Sequence, residues 1–213
     1  MPLTLTLVRH GRTVYNTEGL LQGWCDSPLT PSGLEGVRVT AAHLADRRFV
    51  AAYASPLGRT VTTAGEILAH HPDVPLLTDP DLREYSFGEL EATPEVDLWS
   101  RVDPFEMFPA VLAGTFPGLP GGEESAGYLH RVRSAFDRIE QAHPEGDVLV
   151  VSHGVTLLAY LTTIVPGPIT PLANASVSTV QVHPDGSREV LTFGVDVAGQ
   201  GVPDASRTAA VDG

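Results

Sequence analysis

LTLVRHG, residues 5–11, is a short apolar run that ends in Arg-His-Gly, and VLVVSHG, residues 148–154, repeats that design near the other end of the chain. The second run is almost continuously apolar, which is typical of a strand buried on both faces of a sheet. In sheets of parallel strands, ligands bind beyond the carboxyl ends of the strands. The two runs therefore predict two central strands that bring His10 and His153 to one crevice.

The rest of the chain alternates between strand and helix patterns. Thr30 followed by Pro31 is a typical helix start, because threonine caps the first turn and proline fits its first position. The predicted strands are 3–9, 49–55 and 147–152, the predicted helices are 29–48, 58–71, 124–142 and 154–165 (ended by Pro166 and Pro168), and a hairpin joins 176–183 to 188–195. This alternation predicts an α/β fold, a three-layer α/β/α sandwich with a mostly parallel central sheet and helices on both faces.

Two stretches depart from the alternation. Residues 92–122 are rich in proline and glycine with aromatic residues between them, and we interpret them as a lid-like insertion with short helices. From residue 197 the chain becomes small and polar, which predicts a disordered tail over 197–213. We therefore expect a single domain over residues 1–196.

Charge and composition exclude several classes of protein. The net charge of −13 argues against a nucleic-acid or anionic-membrane surface as the main partner. All 13 basic residues are arginines, which excludes lysine Schiff-base chemistry and a P-loop. No apolar run approaches the roughly 20 residues that cross a bilayer, and the first residues lack the pattern of a signal peptide. With Cys25 as the single cysteine, we expect a cytoplasmic protein without a disulfide.

Four loops carry side chains suited to phosphoryl transfer. A phosphoryl group needs positive donors for its three oxygens. Arg59 is such a donor, because it lies in the first turn of a predicted helix, where backbone N–H groups also attract phosphate. The candidates are Arg9, His10, Asn16, Gln22 and Gly23 in the first loop, Arg59 in the second, Glu84 in the third and His153 in the fourth. No spacing typical of metal ligands accompanies them.

Six segments resemble the histidine phosphatase superfamily, which includes the cofactor-dependent phosphoglycerate mutases and many phosphatases. They are RHG, LQGWCDSPLT, ASPLGRT, LREYSFGELE, GGEES and VSHG, and they occur in the family's order over residues 3–195. The resemblance implies a phosphoglycerate mutase-like fold and phosphoryl transfer without a metal or another cofactor.

The resemblance also implies roles for the candidates. His10 is the nucleophile that forms a phosphohistidine, and Arg9 and Arg59 hold the phosphoryl oxygens. His153 donates a hydrogen bond to the same group. Glu84 protonates the leaving oxygen and then activates the water that hydrolyses the intermediate. The residues implied to line the pocket for a small phosphorylated substrate are Asn16, Gln22, Gly23 and Gly154.

Several alternatives remain open. The phosphatase branch is favoured, because the glycolytic mutases are longer and carry a lysine-containing segment after the acid, whereas this chain has no lysine. A mutase and a non-catalytic module that binds a phosphorylated ligand are the alternatives. Glu89 and Glu91 compete with Glu84 as the acid. Arg12 is expected at the surface, with contact to a distal anionic group as the alternative, and the hairpin 176–195 is a candidate contact for a homodimer.

Overall fold

The computed structural model describes residues 2–165, 167 and 170–201. The strands are β1 (Leu3–Arg9), β2 (Phe49–Ala54), β3 (Leu76–Thr78), β4 (Gly146–Ser152), β5 (Val177–Val182) and β6 (Arg188–Val195), and the helices are α1 (Val14–Glu18), α2 (Pro31–Leu44), α3 (Gly58–Leu68), α4 (Glu95–Trp99), α5 (Pro104–Ala113), α6 (Ser125–Ala142) and α7 (Gly154–Leu161). The strands form one sheet in the order β3-β2-β4-β1-β5-β6. β3, β2, β4 and β1 pair in parallel, and β5 and β6 add an antiparallel edge.

β1 and β4 are parallel neighbours at the centre of the sheet. Their register pairs Leu3 with Gly146 and Arg9 with Ser152 without a shift. His10 and His153 each follow the last residue of their strand, so both leave the same edge of the sheet. Their ring centroids lie 5.3 Å apart, which confirms that two central strands bring the two histidines together.

Helices cover both faces of the sheet. Because successive side chains of a strand point to opposite faces, Val8 packs in one core with α2 and α3. Leu5 and Leu7 pack in the other core with α5, α6 and α7. The predicted three-layer α/β/α architecture is confirmed.

Local chemistry sets the element boundaries. The Thr30 side chain accepts a hydrogen bond from the Gly33 N–H at 2.9 Å, and proline fills the first position of α2, as predicted. α2, α3 and α7 end three or four residues earlier than predicted, at Leu44, Leu68 and Leu161. Pro166 and Pro168, predicted to end α7, lie outside the described residues. β3 was not predicted, because a strand of three residues is too short to show the alternation of apolar and polar residues that marks a strand.

Residues 92–122 fold over the first loop of the chain. Backbone hydrogen bonds join Ala92 and Thr93 to Leu21. The short helices predicted for this segment are present as α4 and α5, and Met107 and Val111 of α5 are buried in the same core as α6. Its role as a lid stays a prediction.

The described C-terminal residues return to the start of α2. Gln200 donates from Nε2 to the Ser32 carbonyl at 2.6 Å, and its own carbonyl accepts a hydrogen bond from Arg12. Arg12 is therefore half-buried rather than fully exposed, and it does not line the cavity described below. The remainder of the predicted tail, from residue 202, lies outside the described residues.

β6 forms one edge of the sheet. Leu191, Phe193 and Val195 alternate along it and are exposed. An apolar edge strand can pair with a second copy of a chain, but the homodimer contact stays a prediction.

Candidate active site

His10 is held in one tautomer by the backbone. Its Nδ1 lies 2.8 Å from the Gly11 carbonyl oxygen, which can only accept, so Nδ1 carries the proton. Nε2 of the neutral ring then has a free lone pair. Gly11 itself donates its N–H to the Thr63 hydroxyl at 3.0 Å, which fixes the turn after β1. This is the acceptor arrangement that a histidine nucleophile requires.

The turn after His10 requires glycines because α2 approaches it closely. A Cβ atom added to Gly33 would lie 2.1 Å from the Arg12 carbonyl oxygen, and one added to Gly11 would lie 2.5 Å from Val37. Larger residues at either position would push the helix away from the His10 loop.

Several buried nitrogens near His10 have no hydrogen-bond partner among the described residues. They are both ring nitrogens of His153 and the Nε atoms of Arg9 and Arg59. Buried polar groups are almost always paired, so each unpaired donor needs an explanation. An anion can accept hydrogen bonds from the two guanidinium Nε–H groups and from the single N–H of the neutral His153 ring.

Burial and the two arginines control the charge of the site. Burial, followed by the positive charges of Arg59 and Arg9, holds the pKa of His10 well below its usual range. The pKa of His153 is also well below its usual range, mainly because of burial and then Arg59. Burial lowers the pKa of Arg9 to about 10, so Arg9 remains a cation at neutral pH. The site therefore combines neutral imidazoles with fixed positive charge.

Arg59 is fully buried, and residues 23–26 hold its guanidinium group in place. Its Nη2 donates to the Gly23 carbonyl at 2.6 Å, and its Nη1 donates to the Cys25 carbonyl at 2.8 Å and to Asp26 at 3.0 Å. Gly23 thus contributes a carbonyl that orients Arg59, and it does not line the cavity. Arg9 is oriented in the same way by the Leu172 carbonyl.

Glu84 lies at the N-terminus of α7. Its Oε2 accepts from the Val155 N–H at 3.0 Å, and its Oε1 accepts from the N–H and hydroxyl of Thr156, both at 3.0 Å. Its backbone carbonyl accepts from Trp24 Nε1 at 2.9 Å and from Arg131 Nη2 at 2.8 Å. The carboxylate is consequently fixed beside Gly154, which precedes Val155 and follows His153.

The other two candidate carboxylates lie elsewhere. Glu91 accepts hydrogen bonds from the backbone N–H groups of Trp24 and Phe87, at 2.9 and 3.2 Å, and holds that loop together. Glu89 is exposed. Of the three glutamates weighed as the acid, Glu84 alone lines the cavity.

Asn16 and Gln22 differ in what their amides can still bind. The oxygen and the nitrogen of the Gln22 amide both form hydrogen bonds within the loop. Oε1 accepts from Thr13 at 2.8 Å, and Nε2 donates to Ser27 at 3.0 Å. Asn16 uses only its oxygen, which accepts from Thr13 and Asn174. Asn16 lines the cavity, and among the described residues none accepts a hydrogen bond from its NH₂ group.

A cavity of about 310 Å³ opens at this end of the sheet. Of the residues predicted for the site, Arg9, Asn16, Gln22, Glu84 and Gly154 line it. His10 and His153 are chain neighbours of lining residues, and Arg59, like Gly23, is not among the residues that line it. Its other lining residues are mostly apolar, apart from Glu95 of α4. A second cavity, of about 210 Å³ between α6, α7 and β6, contains none of the predicted site residues.

Cys25 is not a candidate nucleophile. Burial and then Glu91 raise the pKa of the Cys25 thiol to about 11, so it is not a thiolate nucleophile at neutral pH.

Within the described ranges, no three or more His, Cys, Asp or Glu side chains are grouped as a metal site would require. No helix in the described part of the chain is both long and apolar enough to span a bilayer.

Asn174 is a site residue that the sequence did not reveal. It is fully buried, and its Nδ2 donates to the His10 carbonyl at 3.1 Å and to Asn16 Oδ1 at 3.2 Å. It therefore positions both the His10 backbone and the Asn16 amide. Its segment, PLANAS, has no motif that marks it as part of a site.

Replacing Asn174 by alanine should lower kcat about tenfold and the free energy of unfolding by about 1–2 kcal/mol, because the His10 carbonyl and Asn16 Oδ1 each lose one of their donors. Steady-state kinetics and urea unfolding measure the two effects. Asn174→Asp is the matched variant, since it keeps the shape but replaces the NH₂ donor with an oxygen. If Asn174→Asp keeps wild-type kcat, Asn174 does not act through this donor.

The neutral histidines make stability depend on pH. Unfolded histidines have a pKa of about 6.5, whereas His10 and His153 have folded-state pKa values well below it. Below pH ~6.5 the unfolded chain therefore binds protons that the folded chain does not, and the free energy of unfolding falls by up to about 1.4 kcal/mol per pH unit per histidine.

The test is urea unfolding of wild type and His153→Asn at neutral pH and at about pH 5. The variant should lose less stability on acidification than the wild type. His70→Asn, at an exposed position, is the matched control and should show the wild-type loss. Equal losses in wild type and His153→Asn would contradict a neutral buried His153.

The chain resembles known proteins over most of its length. The sequence model of the histidine phosphatase superfamily (branch 1) matches residues 5–194. A Yersinia enterocolitica protein named probable phosphoglycerate mutase GpmB is 35% identical over 173 residues, which cover 78% of this chain and 76% of that protein. The structure of Bacillus stearothermophilus YhfR has a TM-score of 0.81 and 28% identity, covering 92% of this chain and 99% of YhfR. The alpha-ribazole phosphatase from Shigella flexneri has the same fold, with a TM-score of 0.77, 24% identity, and coverage of 91% and 96%.

Proposed function

The chain belongs to the histidine phosphatase superfamily, and from this premise we propose that it is a metal-independent phosphomonoester hydrolase that acts through a phosphohistidine on His10. The observation that carries the proposal is the set of unpaired buried nitrogens of Arg9, Arg59 and His153 around a histidine with a free Nε2. A phosphoryl group is the anion that both the donors and the nucleophile suit.

In the first step, Nε2 of His10 attacks phosphorus and the bond from phosphorus to the leaving oxygen breaks. Arg9, Arg59 and His153 donate to the phosphoryl oxygens, where negative charge is spread in the transition state. These donors are already oriented by the protein, so little reorganisation opposes the reaction. Glu84 acts as the general acid, gives a proton to the leaving oxygen and becomes a carboxylate.

In the second step, water attacks the phosphorus of the phosphohistidine. Glu84, now a carboxylate, takes a proton from this water as the phosphorus–nitrogen bond breaks. His10 recovers its lone pair on Nε2, and inorganic phosphate leaves. The hydrogen bonds from Val155 and Thr156 orient Glu84 for both proton transfers.

The residues that line the cavity favour hydrolysis of the phosphohistidine over transfer of the phosphoryl group from His10 back to the substrate, as in a mutase. A mutase binds a substrate with a second anionic group and needs cationic residues for it. Among the described residues that line the cavity, Arg9 is the sole cation, and the chain contains no lysine. The name of the Yersinia relative favours the second candidate, a phosphoglycerate mutase.

Phosphate release from a panel of phosphomonoesters, with a chelator and no added metal, tests the proposal. Interconversion of 2- and 3-phosphoglycerate is assayed in the same samples. We expect chelator-resistant phosphate release and no net interconversion. Interconversion without phosphate release would identify a mutase, and no turnover of any substrate would indicate a binding module.

A further inference from the structure

Glu95 is an acidic side chain in the cavity that the proposed chemistry does not use. It begins α4, within residues 92–122, and it lines the cavity together with Arg9 and Glu84. Its side chain makes no hydrogen bond or ion pair with any described residue. The surroundings remove much of its hydration, and this desolvation raises its pKa, while the charge of Arg9 opposes the shift.

Arg9 acts on Glu95 through its charge but forms no ion pair with it. Its guanidinium is held at the Leu172 carbonyl, and its unpaired Nε belongs to the phosphoryl site described above. Once a phosphate dianion occupies that site, the cavity contains the negatively charged phosphate and the acidic side chains of Glu84 and Glu95. Among the described residues that line the cavity, only Arg9 is a cation. A partly desolvated carboxylate needs a compensating charge, because an unpaired charge away from water is costly.

The wall around Glu95 suits an organic cation. Trp99 and Phe108 line the cavity as an edge-to-face pair with ring centroids 5.9 Å apart, and Leu112 and Leu158 continue the apolar surface. Aromatic faces attract ammonium groups, and a carboxylate beside them adds a charge-assisted hydrogen bond. The cavity of about 310 Å³ is large enough for a small organic group.

We propose that Glu95 is a specificity-determining residue that binds a protonated amine of the substrate, so that the enzyme prefers phosphomonoesters of amino alcohols with an apolar framework. This inference rests on the proposed function, because the phosphate end of the substrate binds at Arg9, Arg59 and His153. A second anionic group on the substrate would face Glu95 and be disfavoured.

Three benzyl phosphates that differ in one group test the inference. They are 4-(aminomethyl)benzyl phosphate, its neutral isostere 4-ethylbenzyl phosphate, and 4-carboxybenzyl phosphate. For wild type, kcat/KM should be about tenfold higher for the amine than for the neutral ester, and lowest for the carboxylate. Glu95→Gln should reduce the preference for the amine to about twofold or less, and Glu95→Lys should reverse it in favour of the carboxylate.

The matched control is Asp97→Asn, which removes an exposed carboxylate from the same helix and should keep the wild-type ratios. Equal kcat/KM for the three esters in wild type, or ratios unchanged in Glu95→Gln, would overturn the inference while leaving the phosphatase intact. If wild type releases no phosphate from any ester, the proposed function fails and the inference fails with it.

Discussion

Replacing His10 by alanine is expected to lower kcat/KM for phosphomonoester hydrolysis by at least about 10⁴-fold, because it removes the nitrogen on which the proposed covalent intermediate forms. Nε2 of His10 has a free lone pair, while Nδ1 is committed to the Gly11 carbonyl. The remaining donors at Arg9 and Arg59 can still bind phosphate. We therefore expect KM or the inhibition constant for inorganic phosphate to change far less than kcat.

Two controls make the His10 result specific. His70→Ala removes an exposed histidine and should keep wild-type activity. Acid-sensitive phosphoryl labelling after a rapid quench should appear on a peptide that contains His10 in wild type and be absent in His10→Ala. Full activity in His10→Ala, or a label on another residue, would contradict the assignment of the nucleophile.

Much of the fold is readable from the sequence because its elements have strong local signals. The two apolar runs that end at His10 and His153 predict adjacent strands, and the shift-free register of β1 and β4 brings their ends together. The cap at Thr30 places the start of α2 correctly. β3 could not be predicted, since it pairs with β2 through three residues whose conformation depends on the neighbouring strand.

The site is less readable, because part of it depends on contacts between distant segments. His10 comes directly after a strand and Arg59 lies in the first turn of a helix, and both elements can be predicted from the sequence. Asn174 has no such signal, yet the fold places it against the His10 carbonyl across most of the chain length. Glu95 is similar, because α4 approaches the cavity only after residues 92–94 pair with Leu21 and its neighbours.

The acidic composition of the chain makes the cationic site stand out. With a net charge of −13, the molecule as a whole repels phosphate, so affinity must come from short-range contacts. Arg59 shows how the protein supplies them: Gly23, Cys25 and Asp26 hold its Nη atoms, and its Nε is left without a partner. The guanidinium is thus positioned before substrate arrives, and binding does not have to order a flexible side chain.

Glu84→Gln should separate the two proton transfers assigned to Glu84. With an alkyl phosphate, whose leaving oxygen needs a proton, kcat/KM should fall by about 10²–10⁴-fold. With 4-nitrophenyl phosphate, whose leaving group departs without a proton, the first step should remain fast. The second step still lacks its base, so a rapid burst of about one nitrophenolate per enzyme should precede slow turnover.

Glu91→Gln is the matched control for this experiment, because Glu91 accepts hydrogen bonds from the loop backbone and does not line the cavity. It should lower stability and reduce activity equally for both substrates, without a burst. Glu84→Gln itself should lose the hydrogen bond from the Val155 N–H, since an amide NH₂ would face a donor there. A loss in Glu84→Gln that is equal for the alkyl and nitrophenyl esters and lacks a burst would mean that Glu84 holds α7 in place and moves no proton. The burst therefore distinguishes a catalytic carboxylate from a helix cap at the same position.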